Sequence, residues 1–170
     1  MKIRKITATV FILAIAFGLY ISPYIALHNL FMSIKDERIS VLNHFVDPMT
    51  VETNIYNRYA QNLFGNVDES TLDSNAIKSK RIMENSIKFG IDVIVEPENI
   101  AVLIESLRKG KTPDGQKLHS SYEYEGFNRF VINFEVEGKK QQVVFSRRYL
   151  LTWVITDLVF PTDLMTLQKE

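Results

Sequence analysis

Residues 6–22 read ITATVFILAIAFGLYIS: seventeen consecutive positions without a charge. At 1.5 Å per residue such a run is at the short end of what can cross hydrocarbon. Apolar character persists through Tyr24, Ile25, Ala26 and Leu27, which allows a longer, tilted span. Lys2, Arg4 and Lys5 precede the run, and the first acid is Asp36. That asymmetry places the N-terminus in the cytoplasm and the rest outside it. Tyr20 and Tyr24 stand where an interfacial aromatic belt would sit. An uncleaved anchor fits better than a cleaved signal, because the small-residue pair Ala14 and Ala16 lies inside the apolar run.

Beyond the run the period is helical. Ser22-Pro23 reads as an N-cap with Pro at the first helical position, or as a kink in one continuing helix. Leu27, Leu30, Phe31 and Ile34 follow on one face. Asp36 caps a short helix carrying Ile39, Leu42, Phe45 and Val46. Asp47-Pro48 opens the next, with Val51, Ile55, Tyr59 and Leu63 as its stripe, ending before Gly65. Residues 66–75 read as a loop. Helical spacing resumes over 76–95 through Met83, Ile87, Ile91 and Ile94, with Glu84 placed to pair with Lys88. Pro97 starts a further helix with Ile100, Leu103, Ile104 and Leu107 inward, and Gly110 stops it.

After the turn-rich stretch 111–117 the period drops to two. Strands are expected over 119–125, 127–137, 140–149 and 152–160, joined by short connections, with Pro161 ending the last. The fold class is therefore α+β: an N-terminal transmembrane helix, then several helices packed on a C-terminal antiparallel sheet of about four strands. Cystatin-like and NTF2-like sandwiches are the fold analogies. The domain division is 1–22 for the basic tip and anchor, 23–161 for the extracytoplasmic domain, and 162–170 for a tail.

Several features together resemble a bacterial family of unknown function, DUF 2939. They are Ser22-Pro23-Tyr24 with Ala26-Leu27, then Val46-Asp47, then Pro97 at the head of an apolar helix. Phe130-Val131, Arg147, Trp153, Thr156 and Pro161 complete the set. The resemblance runs from about Tyr20 to Pro161 and departs at Leu150-Leu151-Thr152, where the family has a glycine-containing turn. It implies a membrane-anchored or exported bacterial protein and brings no activity with it.

Composition removes whole classes of chemistry. There is no cysteine, so thiolate catalysis, thiolate metal sites, disulfides and a lipoprotein anchor are excluded. Formal net charge is zero, against a nucleic-acid partner. His28, His44 and His119 lack the i, i+4 spacing of a helical metal site. No nucleophile elbow and no phosphate-binding glycine loop is present. No cofactor or metal is expected, and an enzyme less than a binding module. Alternation puts Trp153, Ile155, Asp157 and Val159 on one strand face, with Arg147 or Arg129 available to pair with Asp157. Arg147, Trp153 and Asp157 are thus the candidate pocket residues, against the blander reading of a cross-strand ion pair. Tyr122 and Tyr124, if outward, would offer a surface to a partner. The expected function is that of an uncharacterised single-pass protein of the cell inner membrane, its partners the bilayer and an envelope protein or lipid. The alternative is a small pocket-bearing domain that binds or transforms an apolar small molecule or lipid.

Overall fold

The computed structural model describes residues 2–36, 38–64 and 72–161, apart from the side chains of residues 2–6, 8, 39 and 61–64. Among the described residues four α-helices and a 3-10 turn precede four strands. They are α1 (Lys2–Lys35), the turn Ile39–His44, α2 (Pro48–Phe64), α3 (Ser74–Val95) and α4 (Pro97–Lys109), then β1 (His119–Gly126), β2 (Arg129–Val136), β3 (Lys139–Arg147) and β4 (Trp153–Val159). The strands form an antiparallel meander in the order β1-β2-β3-β4. The α+β architecture read from the sequence is the one observed. The expected tail, most of the 66–75 loop and the Gly65 stop lie outside the described residues, as do the side chains of Lys2, Arg4 and Lys5.

α1 is unbroken through Pro23. Ser22 is therefore an interior residue, and the continuing helix replaces the N-cap reading. Its first half is bare: Val10, Phe11, Ile12, Leu13, Ile15 and Phe17 are all exposed. Its second half buries Ala26, Leu27 and Leu30 in the core of the domain. A window within Thr9–Lys35 has mean hydropathy 2.2, and this one helix is long and apolar enough to cross a membrane.

Capping explains where the other helices begin and stop. Asp47 Oδ1 accepts from the Thr50 amide at 3.2 Å ahead of α2. Asp73 does the same for Ala76 at 2.7 Å ahead of α3, a cap the polar loop concealed. Gly110 ends α4 at φ 64°, a left-handed position natural to glycine. Asp36 does not cap the 3-10 turn; Arg38 occupies that position and no side chain bonds there. On α3, Glu84 meets Lys80 at 3.8 Å, while Lys88 lies over the Tyr56 ring at 5.4 Å, so the expected Glu84–Lys88 pair is not formed. Met83, expected on the α3 stripe, is exposed, and Ile91 and Val95 carry the burial.

One face of the sheet, carrying Phe130, Ile132, Phe134, Val143, Phe145, Trp153, Ile155 and Leu158, joins the helices in a single core. Leu42, Val46, Val51, Ile55, Ile91, Ile100 and Ile104 meet it from the helical layer. The outer edge of β4 is covered. Ile155 exchanges backbone bonds with Phe45 (2.7 Å) and Asp47 (2.9 Å). Asn54 then donates to the Thr156 carbonyl (2.9 Å), Arg58 to Leu158 (3.2 Å) and Tyr59 to Phe160 (3.0 Å). Polar side chains of α2 thus serve alternate carbonyls from Thr156 to Phe160, along the second half of β4 and just past its end, which closes that edge to further strands.

Candidate functional site

The three residues singled out from the sequence do not converge. Val144 pairs with Asp157 while Phe145 pairs with Ile155, so β4 carries one extra residue at Thr156. This bulge reverses the facing of everything beyond it. Asp157 lies on the face opposite Trp153 and Ile155, and Leu158 takes the inward place. Its carboxylate pairs through Oδ2 with Arg58 of α2, not with Arg147 or Arg129; Arg129 pairs with Glu125. Asp157 is buried, and its Oδ1 has no hydrogen-bond partner among the described residues. Burial raises the neighbouring Tyr59 phenol above its ordinary pKa, against the pull of the Arg58 guanidinium. The pair ties α2 to β4.

Arg147 and Trp153 do meet, and they meet around α1. The guanidinium lies between two rings, its carbon 4.4 Å from the centroids of both Phe127 and Trp153. It donates to the carbonyls of Phe127 (3.1 Å), Leu150 and Leu19 (3.3 Å). The Leu19 carbonyl needs those donors for a reason set in the sequence. Pro23 has no amide hydrogen, so the carbonyl four residues earlier loses its helical partner. Ser22 Oγ donates to it at 2.8 Å and in turn accepts from the Trp153 indole at 2.8 Å and from Arg147 Nη1 at 3.4 Å. One residue along, the Tyr124 hydroxyl donates to the Tyr20 carbonyl, and the two rings stack at 5.5 Å. Tyr124 also packs edge-on against Phe130 and Trp153, so it belongs to this junction and not to an outward surface. Burial pushes its phenol above the ordinary value, countered in part by Arg147. Tyr24, expected in an interfacial belt, sits edge-on to Phe130 at 5.0 Å.

Phe127 and Arg58 were not singled out from the sequence, and Ser22 and Tyr124 were read there in other roles, as a helix cap and as an outward surface. The usable signal was Pro23: a proline inside an apolar helix frees a carbonyl, and a buried carbonyl needs a donor. Tyr122 remains exposed.

Two open grooves flank α1 here. One, about 480 Å³, lies between Gly18, Ile21, Ile25, Phe45, Leu151 and Trp153; the other, about 410 Å³, between Ala16, Leu19, Tyr124, Phe127 and Arg147. On the opposite sheet face Glu123, Asn133 and Gln142 form a hydrogen-bonded ladder across three strands. Among the described residues no three His, Asp or Glu side chains gather where a metal could bind. The arrangement at Arg147 is that of a joint: its polar groups are spent on one another, and its rings pack a helix against a sheet. No family model matches the chain, and no curated protein or solved structure matches it.

Proposed function

We propose that the chain is a single-pass membrane protein of the bacterial envelope, with its N-terminus in the cytoplasm and its α+β domain outside, acting by binding and not by catalysis. The observation that carries this reading is the continuity of α1. Its exposed apolar half leads without a break into a half that is part of the domain core. Bare apolar side chains on every side of a helix are costly in water and favourable in lipid. The Lys2, Arg4 and Lys5 flank supports the orientation. Because the helix of the anchor continues into the core of the domain, the domain is a direct extension of the span, suited to presenting a fixed surface to an envelope partner.

A phosphatase that matures only outside the cytoplasm, fused at the C-terminus, tests the topology. Activity in intact cells, with the chain retained in membranes after alkaline extraction, is the expected result. A silent fusion with the chain released into the soluble fraction overturns the proposal.

A further inference from the structure

We infer that the sheet tips beside α1, Phe127 and Tyr149-Leu150-Leu151, form a second contact with the bilayer and seat the domain directly on its outer leaflet. This rests on the reading of α1 as the membrane span.

The meander places the β1–β2 turn and the β3–β4 loop at the same end of the sheet, where both flank α1. Their tips are apolar and open: Phe127 is 62% exposed, Tyr149 74%, Leu150 64% and Leu151 58%. The other end of the sheet is polar, with Glu137, Gly138, Lys139 and Lys140 at its turn. Their level along α1 is fixed by contacts. Phe127 shares a groove with Ala16, Leu19 and Tyr20, and Leu151 closes one that runs along α1 from Gly18 to Asn29. Arg147 bonds the carbonyls of Phe127, Leu150 and Leu19 at once.

The length of the anchor then decides where that level falls. The last basic residue before the apolar run is Lys5. Hydrocarbon about 30 Å thick takes about 20 residues at 1.5 Å each, and so reaches from Ile6 to about Ile25. Tilt carries it further along the helix. Snorkelling of Lys5 withdraws it by only a few ångström, about two residues. Leu19–Ser22 therefore lies just inside the outer edge of the hydrocarbon, and the tips level with it lie there too. Arg147 suits that depth, its guanidinium satisfied by carbonyls and sheathed by two rings. The occupant of this surface is lipid; a protein docked on the same tips would have to displace the leaflet.

The chain has no cysteine, so single-cysteine variants of the full protein report cleanly. Leu150→Cys and Leu151→Cys change exposed side chains and should fold; Phe127→Cys takes one ring from Arg147, which keeps Trp153 and its three carbonyls and should hold the fold. Leu13→Cys marks the span. Asp114→Cys marks the far end, in a loop whose neighbours Pro113 and Gly115 share a crevice with Ile34, about 22 Å along α1 from Leu19. Each is labelled with an environment-sensitive fluorophore and reconstituted in phosphatidylcholine–phosphatidylglycerol vesicles carrying a spin label high on the acyl chain. Quenching at 127, 150 and 151 at least twofold above that at 114, with 13 also quenched, is expected. Tips no more quenched than 114, with 13 quenched, overturn the seating and leave the anchor standing. If 13 is unquenched as well, the anchor reading itself falls.

Discussion

Replacing Ser22 by alanine should cost far more than the loss of one surface hydroxyl. Its oxygen is the only acceptor within reach of the buried Trp153 indole N–H among the described contacts, and it also donates to the Leu19 carbonyl that Pro23 leaves unserved. An orphaned buried donor costs about 1–3 kcal/mol. The Leu19 carbonyl keeps Arg147 at 3.3 Å, so its share of the loss is small. The expected destabilisation is about 2 kcal/mol, about a 30-fold fall in the folded-to-unfolded ratio. Ser33, also buried on α1, provides the comparison. It donates only to Asn29, whose carbonyl lies within the ladder of the helix, so Ser33→Ala should stay within about 0.5 kcal/mol. The chain has a single tryptophan, so its fluorescence in a urea titration of the detergent-solubilised protein reads this junction directly. Pro23→Ala in the Ser22→Ala background restores the helical amide to Leu19 and should recover only that smaller share. Equal stabilities for the two serine variants, with unchanged Trp153 emission, would refute the account of the junction.

Three further outcomes follow from the same geometry. Arg58→Ala strands the buried Asp157 carboxylate and should cost about 3–5 kcal/mol by urea denaturation, whereas Arg58→Met with Asp157→Leu should cost only about 1 kcal/mol, for the hydrogen bond lost at the Leu158 carbonyl. Glu105 is held at a pKa of about 2, first by its hydrogen bond from Arg108, with a smaller contribution from Lys109. A folded-state pKa below the unfolded value means this contribution is present above about pH 4.5 and lost as pH falls towards 2. Partial exposure limits it to about 1 kcal/mol, so Glu105→Gln should destabilise at pH 7 and converge with the parent near pH 2. Gly110→Ala places a side chain at φ 64° with only ordinary contact to the Leu118 carbonyl at 3.7 Å; backbone strain alone should lower stability by about 1 kcal/mol in thermal melts.

What was legible in the sequence was whatever a repeat of short period reports. Alternation located all four strands because a sheet with one face on a core imposes it residue by residue. Helical stripes located α2, α3 and α4 for the corresponding reason, and Gly110 and Pro97 mark ends because their backbones permit little else. Asp157 was misplaced because period-two reasoning carries parity forward and has no means of seeing an inserted residue. Thr156 is an unremarkable strand residue in sequence, yet as a bulge it sends Asp157 away from Trp153 and towards Arg58. Ser22-Pro23 was ambiguous for a different reason. A serine before a proline is as good a helix start as a mid-helix interruption, and only a donor from elsewhere can decide which. That donor is Arg147, about 125 residues away, working with the Trp153 indole that Ser22 accepts. A proline near the domain end of a span would normally weaken the helix where the anchor emerges. Here the freed carbonyl is the group the sheet grips, so the position that looks like a break is where helix and domain are fastened to each other. It follows that the helix cannot pivot freely at Pro23 while Arg147 and Trp153 keep their places, and that the orientation of the domain on its anchor is set by the fold of the sheet.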